Sequence, residues 1–565
     1  MTSVPLGPQY RRDALRRLAD TEFDVLVVGG GIVGAGAALD AVSRGLSVAL
    51  VEARDWAAGT SSRSSKLIHG GLRYLEQRDF GLVREALRER SLLLTRLAPH
   101  LVRPVRFLYP LRHRLWERCY VAAGVTLYDT LGATPGGALG GGRVMPRHRQ
   151  LTRGGALREA PGLRADALVG AIQYYDAQVD DARYTMMVAR TAAHYGACAL
   201  TRAEATGFLR EGERVTGAAV LDAESGVEIA VRARRVVNAT GVWTDGAGRM
   251  AQTRTPFSVR ASKGVHLLVR RDRIPLHTGL ITRTDKSVLF VIPWGRHWII
   301  GTTDTPWDHG PDEAAADSAD VDYLLDQVNA LLRVPLERQE VVGVYAGLRP
   351  LLSGDGGDTT RLSREHTVAE PVPGLVVVTG GKFTTYRVMA QDAIDAAAAG
   401  LDTAVPASVT ARLPILGAVG SEVLWNERHR LASGSGLHVA RVEHLLQRYG
   451  ACATDLLSLI ARDAGLGEPV PGAPDYLRAE VVYAVTHEGA LHLEDVLSRR
   501  TRITIEEQDG GVAAAYHVAE LMAPVLGWDA AQVPAEVDAY VRQVRAERGE
   551  EGPLPGEQAA CPAPA

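Results

Sequence analysis

Gly29-Gly30-Gly31-Ile32-Val33-Gly34 and, about 20 residues further on, Glu52 are the residues whose types and spacing speak most directly of chemistry. The glycines follow the apolar run Val25 to Val28 and open a segment of helical periodicity, the context in which a G-x-G-x-x-G match means a phosphate cradle. Gly29 permits a tight turn, Gly31 lets a pyrophosphate approach the backbone, and Gly34 lets the helix lie close on the strand. The helix N-terminus then faces the phosphates. Glu52 ends the next apolar run, where a carboxylate accepts hydrogen bonds from an adenosine ribose and repels a 2′-phosphate, so NADP is disfavoured. The motif specifies an adenine dinucleotide and leaves FAD and NAD both open.

The elements that must hold this cradle follow from periodicity. A strand from Phe23, a helix over Ala35 to Arg44 and a strand over Leu46 to Glu52 give the βαβ order of a doubly wound sheet. Helical character returns over Asp79 to Ala98 and Asp181 to Tyr195, and Gly132 to Gly142 reads as a loop. Strand-like segments at Arg235 to Asn238, His266 to Val269, Val288 to Ile292, Trp298 to Ile300 and Leu375 to Val378 predict a β-rich substrate domain inserted into the first. After about Gly400, helical patterns at Arg441 to Arg448, Ala479 to Thr486 and Val512 to Leu521 predict a separate α-helical domain. The expected division is an N-terminal extension (1–20), a dinucleotide domain with its insertion (21–400), a helical domain (401–548) and a disordered tail (549–565). Arg11, Arg12, Arg16 and Arg17 in the extension read as a solvated basic face.

Composition narrows the partners. The 63 basic residues against 66 acidic ones leave a net charge of −3, which argues against nucleic acid. Cys119, Cys198, Cys452 and Cys561 are far apart, so free thiols in a reducing compartment are expected and a thiolate metal site is not. Apolar runs fall well short of the ~20 residues that cross a bilayer and no signal peptide precedes them, which predicts a cytoplasmic protein.

Other segments decide between flavin and nicotinamide. Arg235 to Gly241 is an apolar strand running into Ala239-Thr240-Gly241 and resembles the second nucleotide-contacting motif of two-domain flavoproteins. Thr60-Ser61-Ser62-Arg63-Ser64-Ser65-Lys66-Leu67-Ile68-His69-Gly70-Gly71-Leu72-Arg73-Tyr74-Leu75 closely resembles the signature of the aerobic, membrane-associated FAD-dependent glycerol-3-phosphate dehydrogenases. The resemblance continues through Val179 to Arg183, Lys263 to His266, Ile300 to Asp304, Gly347 to Leu351 and Gly380 to Arg387, and covers residues 20–400 almost continuously. His487 to Ala490 and Asp495 to Arg502 look like the C-terminal cap of the same family.

The resemblance implies an α/β fold: a FAD/NAD(P)-binding, doubly wound Rossmann-like domain with an inserted antiparallel β-rich substrate domain, plus a C-terminal helical domain. It implies FAD as cofactor, with Thr60, Ser61, Ser62, Ser65, Lys66, Leu67 and His69 wrapping the pyrophosphate and ribityl chain, joined by Ala239, Thr240, Gly241, Gly381, Lys382, Phe383 and Thr384. Oxidising a secondary alcohol beside a phosphate then needs a base and cations. His266 is the first choice of base because imidazole titrates near neutral pH, with Asp304 a candidate to orient it. Arg73, Arg349, Arg364 and Lys382 are the expected cations, guanidinium forks suiting phosphate, and Tyr74 stands beside Arg73 in the signature. The implied partners are glycerol 3-phosphate and a membrane quinone reached from the inner face of the plasma membrane, and a homodimer is compatible. Arg103 to Tyr128 interleaves arginines with Phe107, Leu108, Trp116 and Tyr120 as an interfacial segment would. The alternative acceptor is oxygen, as in glycerol-3-phosphate oxidases. An amine oxidase of similar fold would want one carboxylate clamp instead of several arginines.

Overall fold

The computed structural model describes residues 4–71, 79–113, 116–131, 145–250, 258–284, 288–311, 314–352 and 366–549. Arg73, Tyr74, Arg364, the segment Gly132 to Gly142 and the tail beyond Gly549 lie outside the described residues.

The apolar runs of the first 400 residues form the parallel core of one sheet. Cys198–Leu200, Val48–Val51, Glu22–Val28, Val227–Asn238 and Leu375–Gly380 lie side by side in that order and in parallel, and His366–Val372 closes the edge antiparallel. Val25 and Val27 pack against helices Ile32–Ser43, Asp181–His194 and Tyr386–Ala398. Leu26 and Val28 face the other way, toward helix Pro8–Asp20 and the hairpin Ala203–Glu211/Arg214–Asp222. Burial on both faces is why this strand reads as an unbroken apolar run.

In the N-terminal helix Arg12, Arg16 and Arg17 are exposed, as expected, and Arg11 is the exception. Arg11 pairs with the buried Asp222 and donates to the Thr201 carbonyl at 2.7 Å, and the exposed Arg17 donates to the Gly196 carbonyl at 2.9 Å. Ala14 and Leu18 are buried beside Phe23. The helix is a stay on the hairpin side of the sheet.

The second sheet is largely antiparallel. Val259–Arg270 pairs along its length with Val341–Leu352 and also with His297–Gly301, which passes the sheet on through Val288–Trp294 to Gly279–Arg283. Gly279–Arg283 joins Arg103–Leu111 in parallel, and that strand pairs antiparallel with Gly170–Gln178. Arg103 to Tyr128 is therefore not one interfacial segment. Its first part is a sheet strand with Phe107, Leu108 and Leu111 buried, and the remainder falls in the helix Trp116–Leu131.

Beyond residue 400 helices dominate, as predicted, with one small hairpin, Pro469–Val470/Ala473–Leu477, that periodicity over so few residues did not reveal. The helices do not stand apart. Leu445, Tyr449, Leu456 and Tyr483 continue the core under the parallel sheet's helices, while Val481, Val485, Val512, Val518 and Tyr540 form a cluster of their own.

Candidate active site

A cleft of roughly 1000 Å³ is lined by both sheets, from the glycine turn at one end to His266 and Arg349 at the other. Bare backbone builds the first end. Gly29 has φ +111°, and a Cβ there would meet the Ala239 carbonyl oxygen at 2.7 Å. At Gly34 a Cβ would fall 1.8 Å from the Gly29 carbonyl oxygen, so strand, turn and helix touch where side chains cannot fit. A Cβ at Gly31 would meet the Ser61 hydroxyl at 3.2 Å and no other described atom within 4 Å; this glycine borders open cleft, and a phosphate fits there. Ser61 Oγ accepts from the Ile32 amide at 2.9 Å, at the start of the helix. Glu52 accepts from the amides of Gly30 at 2.6 Å and Arg54 at 2.9 Å, and burial raises its carboxyl above the ordinary range. Ala239, Thr240 and Gly241 line the same end.

Thr60, Ser61, Ser65, Leu67, His69, Gly381, Lys382, Phe383 and Thr384 line the middle. Thr60 Oγ1 donates to the Leu348 carbonyl at 2.6 Å, and Thr384 Oγ1 bridges the backbone amide and carbonyl of His69 at 3.2 and 3.3 Å. The Ser-rich segment and the Gly-Gly-Lys helix start, 315 residues apart, are thus tied together.

Two expected cofactor contacts turn away from the cleft. Ser62 directs its hydroxyl to the Gly59 carbonyl at 3.3 Å. Lys66 adopts φ +57°, a conformation costing about 1–2 kcal/mol for a residue with a Cβ. Its ammonium is buried, 2.9 Å from Asp181 Oδ1 and 3.0 Å from the Ser62 carbonyl. Both residues shape the loop from behind the face that Ser61 and Ser65 present to the cleft.

The far end is built of side chains. His266 is 2 % exposed, its Nε2 lies 2.8 Å from Ser65 Oγ, and its ring stacks on Tyr345 at 4.8 Å between centroids. Burial first, then the Arg349 and Lys66 cations, hold its pKa well below 6.5, so the ring is a neutral imidazole at working pH. Arg349, on the neighbouring strand, donates to Thr302 Oγ1 at 2.9 Å and to the Thr303 carbonyl at 3.1 Å. Asp304 accepts from Ser262 and faces the Arg349 guanidinium at 3.4 Å. Its carboxylate therefore positions the guanidinium, and the expectation that it orients His266 is corrected: Ser65 and Tyr345 do that. Lys382 lines the cleft immediately before the turn Phe383–Thr385.

Sequence reasoning passed over several residues that make this end. A Cβ at Gly301 would fall 2.2 Å from the His266 ring and one at Gly264 2.3 Å from Arg349 Nη2; glycine inside a strand is a signal of such close approach. Thr302 and Asp181 lie within segments that carry the family resemblance but received no role there, and nothing local marked Tyr345.

Among the described residues no cluster of His, Cys, Asp or Glu is suited to a metal ion. A model of the FAD dependent oxidoreductases matches residues 24–396, and one for the C-terminal domain of alpha-glycerophosphate oxidase matches residues 408–533. Glycerol-3-phosphate dehydrogenase 2 of Mycobacterium tuberculosis is 56% identical over 545 residues, covering 96% of this chain and 92% of that one. The mitochondrial glycerol-3-phosphate dehydrogenase of Bos taurus is 37% identical over 94% of this chain and 74% of its own. The crystal structure of the glycerol-3-phosphate dehydrogenase from Bacillus halodurans, complexed with FAD, superposes with a TM-score of 0.78 at 27% identity, covering 96% and 98% of the two chains. With a close-packed glycine turn, a buried imidazole and a braced guanidinium in one cleft, and these relatives along nearly its whole length, the chain belongs to the FAD-dependent oxidoreductases and, within them, to the glycerol-3-phosphate dehydrogenases.

Proposed function

We propose that the chain oxidises sn-glycerol 3-phosphate to dihydroxyacetone phosphate with FAD and passes the electrons to a membrane quinone. The observation that carries this reading is that His266 and Arg349 line one cleft with the glycine turn. A phosphate is held by charge-assisted hydrogen bonds from Arg349 and the Lys382 ammonium. The substrate hydroxyl then lies against the His266 ring, which accepts its proton at Nε2 as the Ser65 hydroxyl turns to accommodate it. FAD, when bound along the Gly31, Ser61 and Thr384 wall, supplies the acceptor for the hydride. Burial of the ring keeps its lone pair unprotonated while Arg349 balances the phosphate charge.

Anaerobic addition of glycerol 3-phosphate to the purified holoprotein tests this directly. Bleaching of the flavin is expected, and an unbleached spectrum sinks the assignment. With a water-soluble quinone in air, little hydrogen peroxide is expected; peroxide released at the rate of substrate oxidation would replace quinone by oxygen.

The helix Trp116–Leu131 supports the membrane acceptor. Val121 and Val125 line the cleft on its inner side, while Trp116, 63% exposed, and Tyr120, 51% exposed, look outward with Leu127. Arg112 and His113 are exposed just before it, a combination suited to an anionic lipid surface. Among the described residues no helix is long and apolar enough to cross a membrane. Replacing Trp116 and Tyr120 by serine should weaken co-sedimentation with phosphatidylglycerol vesicles about tenfold while turnover with a soluble dye persists. Undiminished vesicle binding would remove this face from the proposal.

A further inference from the structure

The loop that presents Ser65 to His266 is held from a distance. Asp181, buried at the start of helix Asp181–His194, gathers it: Oδ2 accepts from the Ser64 amide at 2.9 Å and the Ser64 hydroxyl at 2.6 Å, and Oδ1 accepts from Lys66 Nζ at 2.9 Å. Ser64 Oγ in turn accepts from the Lys66 amide at 3.0 Å, and the Ser64 carbonyl accepts from Tyr345, whose ring lies under His266. The residues on either side of Ser65, which bonds His266, both bond Asp181.

Asp181 is itself clamped from the helical C-terminal region. Arg502 donates to Asp181 Oδ1 and reaches Asp180 Oδ1 at 2.6 Å, with a further contact to the Ser62 carbonyl at 3.4 Å. Arg502, Asp181 and Lys66 are all buried. In so dry a setting the carboxylate cannot be shared by water, and its position follows the cations around it. Burial first, then the Arg502 charge, lowers the Lys66 pKa to about 8, against the opposing pull of Asp181 and Asp180.

We propose that Arg502 is a positioning residue for the oxidation step: by clamping Asp181 it holds Ser64 to Lys66 in the conformation that sets Ser65 against His266, so docking of the C-terminal region completes the active site. The inference rests on the reading of His266 as the base.

The test uses the FAD-loaded full chain. In Arg502→Met, anaerobic flavin reduction at saturating glycerol 3-phosphate should slow about tenfold or more, while the substrate dissociation constant, measured by titration of the non-reducing analogue glycerol 2-phosphate against flavin absorbance, changes less than about threefold. Arg502→Lys, which keeps the charge, should recover most of the rate. Adding Arg502→Met to a Ser65→Ala background should cost little more, because the two act through the same contact. A lowered thermal midpoint with a wild-type reduction rate, or losses that multiply fully in the double variant, overturns the proposal. Should Arg502→Met fail to fold, Ser64→Ala removes the hydroxyl link to Asp181 and leaves the ion pairs; it should slow reduction several-fold, and an unchanged rate overturns the proposal as well. An unchanged rate in His266→Ala would instead fail the base assignment, a result distinguishable from failure of the Arg502 clamp.

Discussion

The two ends of the cleft are made from opposite materials. At the dinucleotide end, Gly29, Gly31 and Gly34 contribute by having no side chain, and the geometry is closed by backbone contact within one βαβ unit. At the His266 end, Ser65, His266, Thr302 and Arg349 contribute by their side chains, gathered from distant parts of the chain. A steric cradle fails when anything is added, whereas a side-chain constellation fails when something is taken away or displaced. The first is tied to a short stretch of sequence; the second is tied to strand register, since His266 sits opposite both Gly301 and Tyr345, and a slip of one residue would turn its ring to the other face.

The largest effect expected from this contrast is on chemistry without loss of cofactor. His266→Ala should slow anaerobic flavin reduction by about 10²- to 10⁴-fold, the usual contribution of a positioned base, with flavin content unchanged in the absorption spectrum. An unreduced rate would remove the imidazole from the reaction. The converse is expected from Gly34→Val, whose added carbons meet the Gly29 carbonyl oxygen. Overpacking of about 3 kcal/mol should appear as protein purified largely without FAD, and a fully yellow preparation would show that helix and strand can part. Next comes Arg349→Ala, for which the loss of a charged hydrogen-bonding partner, ~1.5–3 kcal/mol, should raise KM tenfold or more in steady-state assays with a smaller change in kcat. A kcat effect exceeding the KM effect would move Arg349 from substrate binding to the reaction step.

The smallest expected effect is in pH dependence. Because burial and neighbouring cations keep His266 neutral well below 6.5, flavin reduction should stay level as pH falls through 6.5. An acid limb centred at 6.5 would mean a solvated ring. Stability behaves differently over the same range. An unfolded His266 takes up a proton below 6.5 while the folded one does not, so this residue lowers the unfolding free energy as pH drops from 6.5 toward its depressed folded value. Thermal midpoints of His266→Gln should therefore fall less steeply in that window than those of the parent.

Much of the fold was legible because its signals are local. The run Val25 to Val28, the glycines behind it and Glu52 lie within a single supersecondary unit, and the structure has them in the predicted strand, turn and helix. Within the basic extension only Arg11 was misread, for lack of a visible partner, since Asp222 lies 211 residues from it. Arg103 to Leu111, the first part of the expected interfacial segment, was misread because interleaved arginines and apolar residues suit a sheet strand with one buried face as well as a membrane surface, and pairing with Gly170–Gln178 separates the two.

The amino-acid sequence by itself determined the close-packed glycine turn, the doubly wound order and the family, because steric demands on glycine and apolar periodicity act over a few residues and leave their mark where they act. The tertiary structure alone decided which way each polar side chain of the Ser-rich run points, that Asp304 braces Arg349 and not His266, and that Arg502 closes a buried clamp on Asp181. Those outcomes depend on which charges are buried together. In a dry interior a carboxylate takes whatever donors the fold brings within reach, and no spacing along the chain records who they will be.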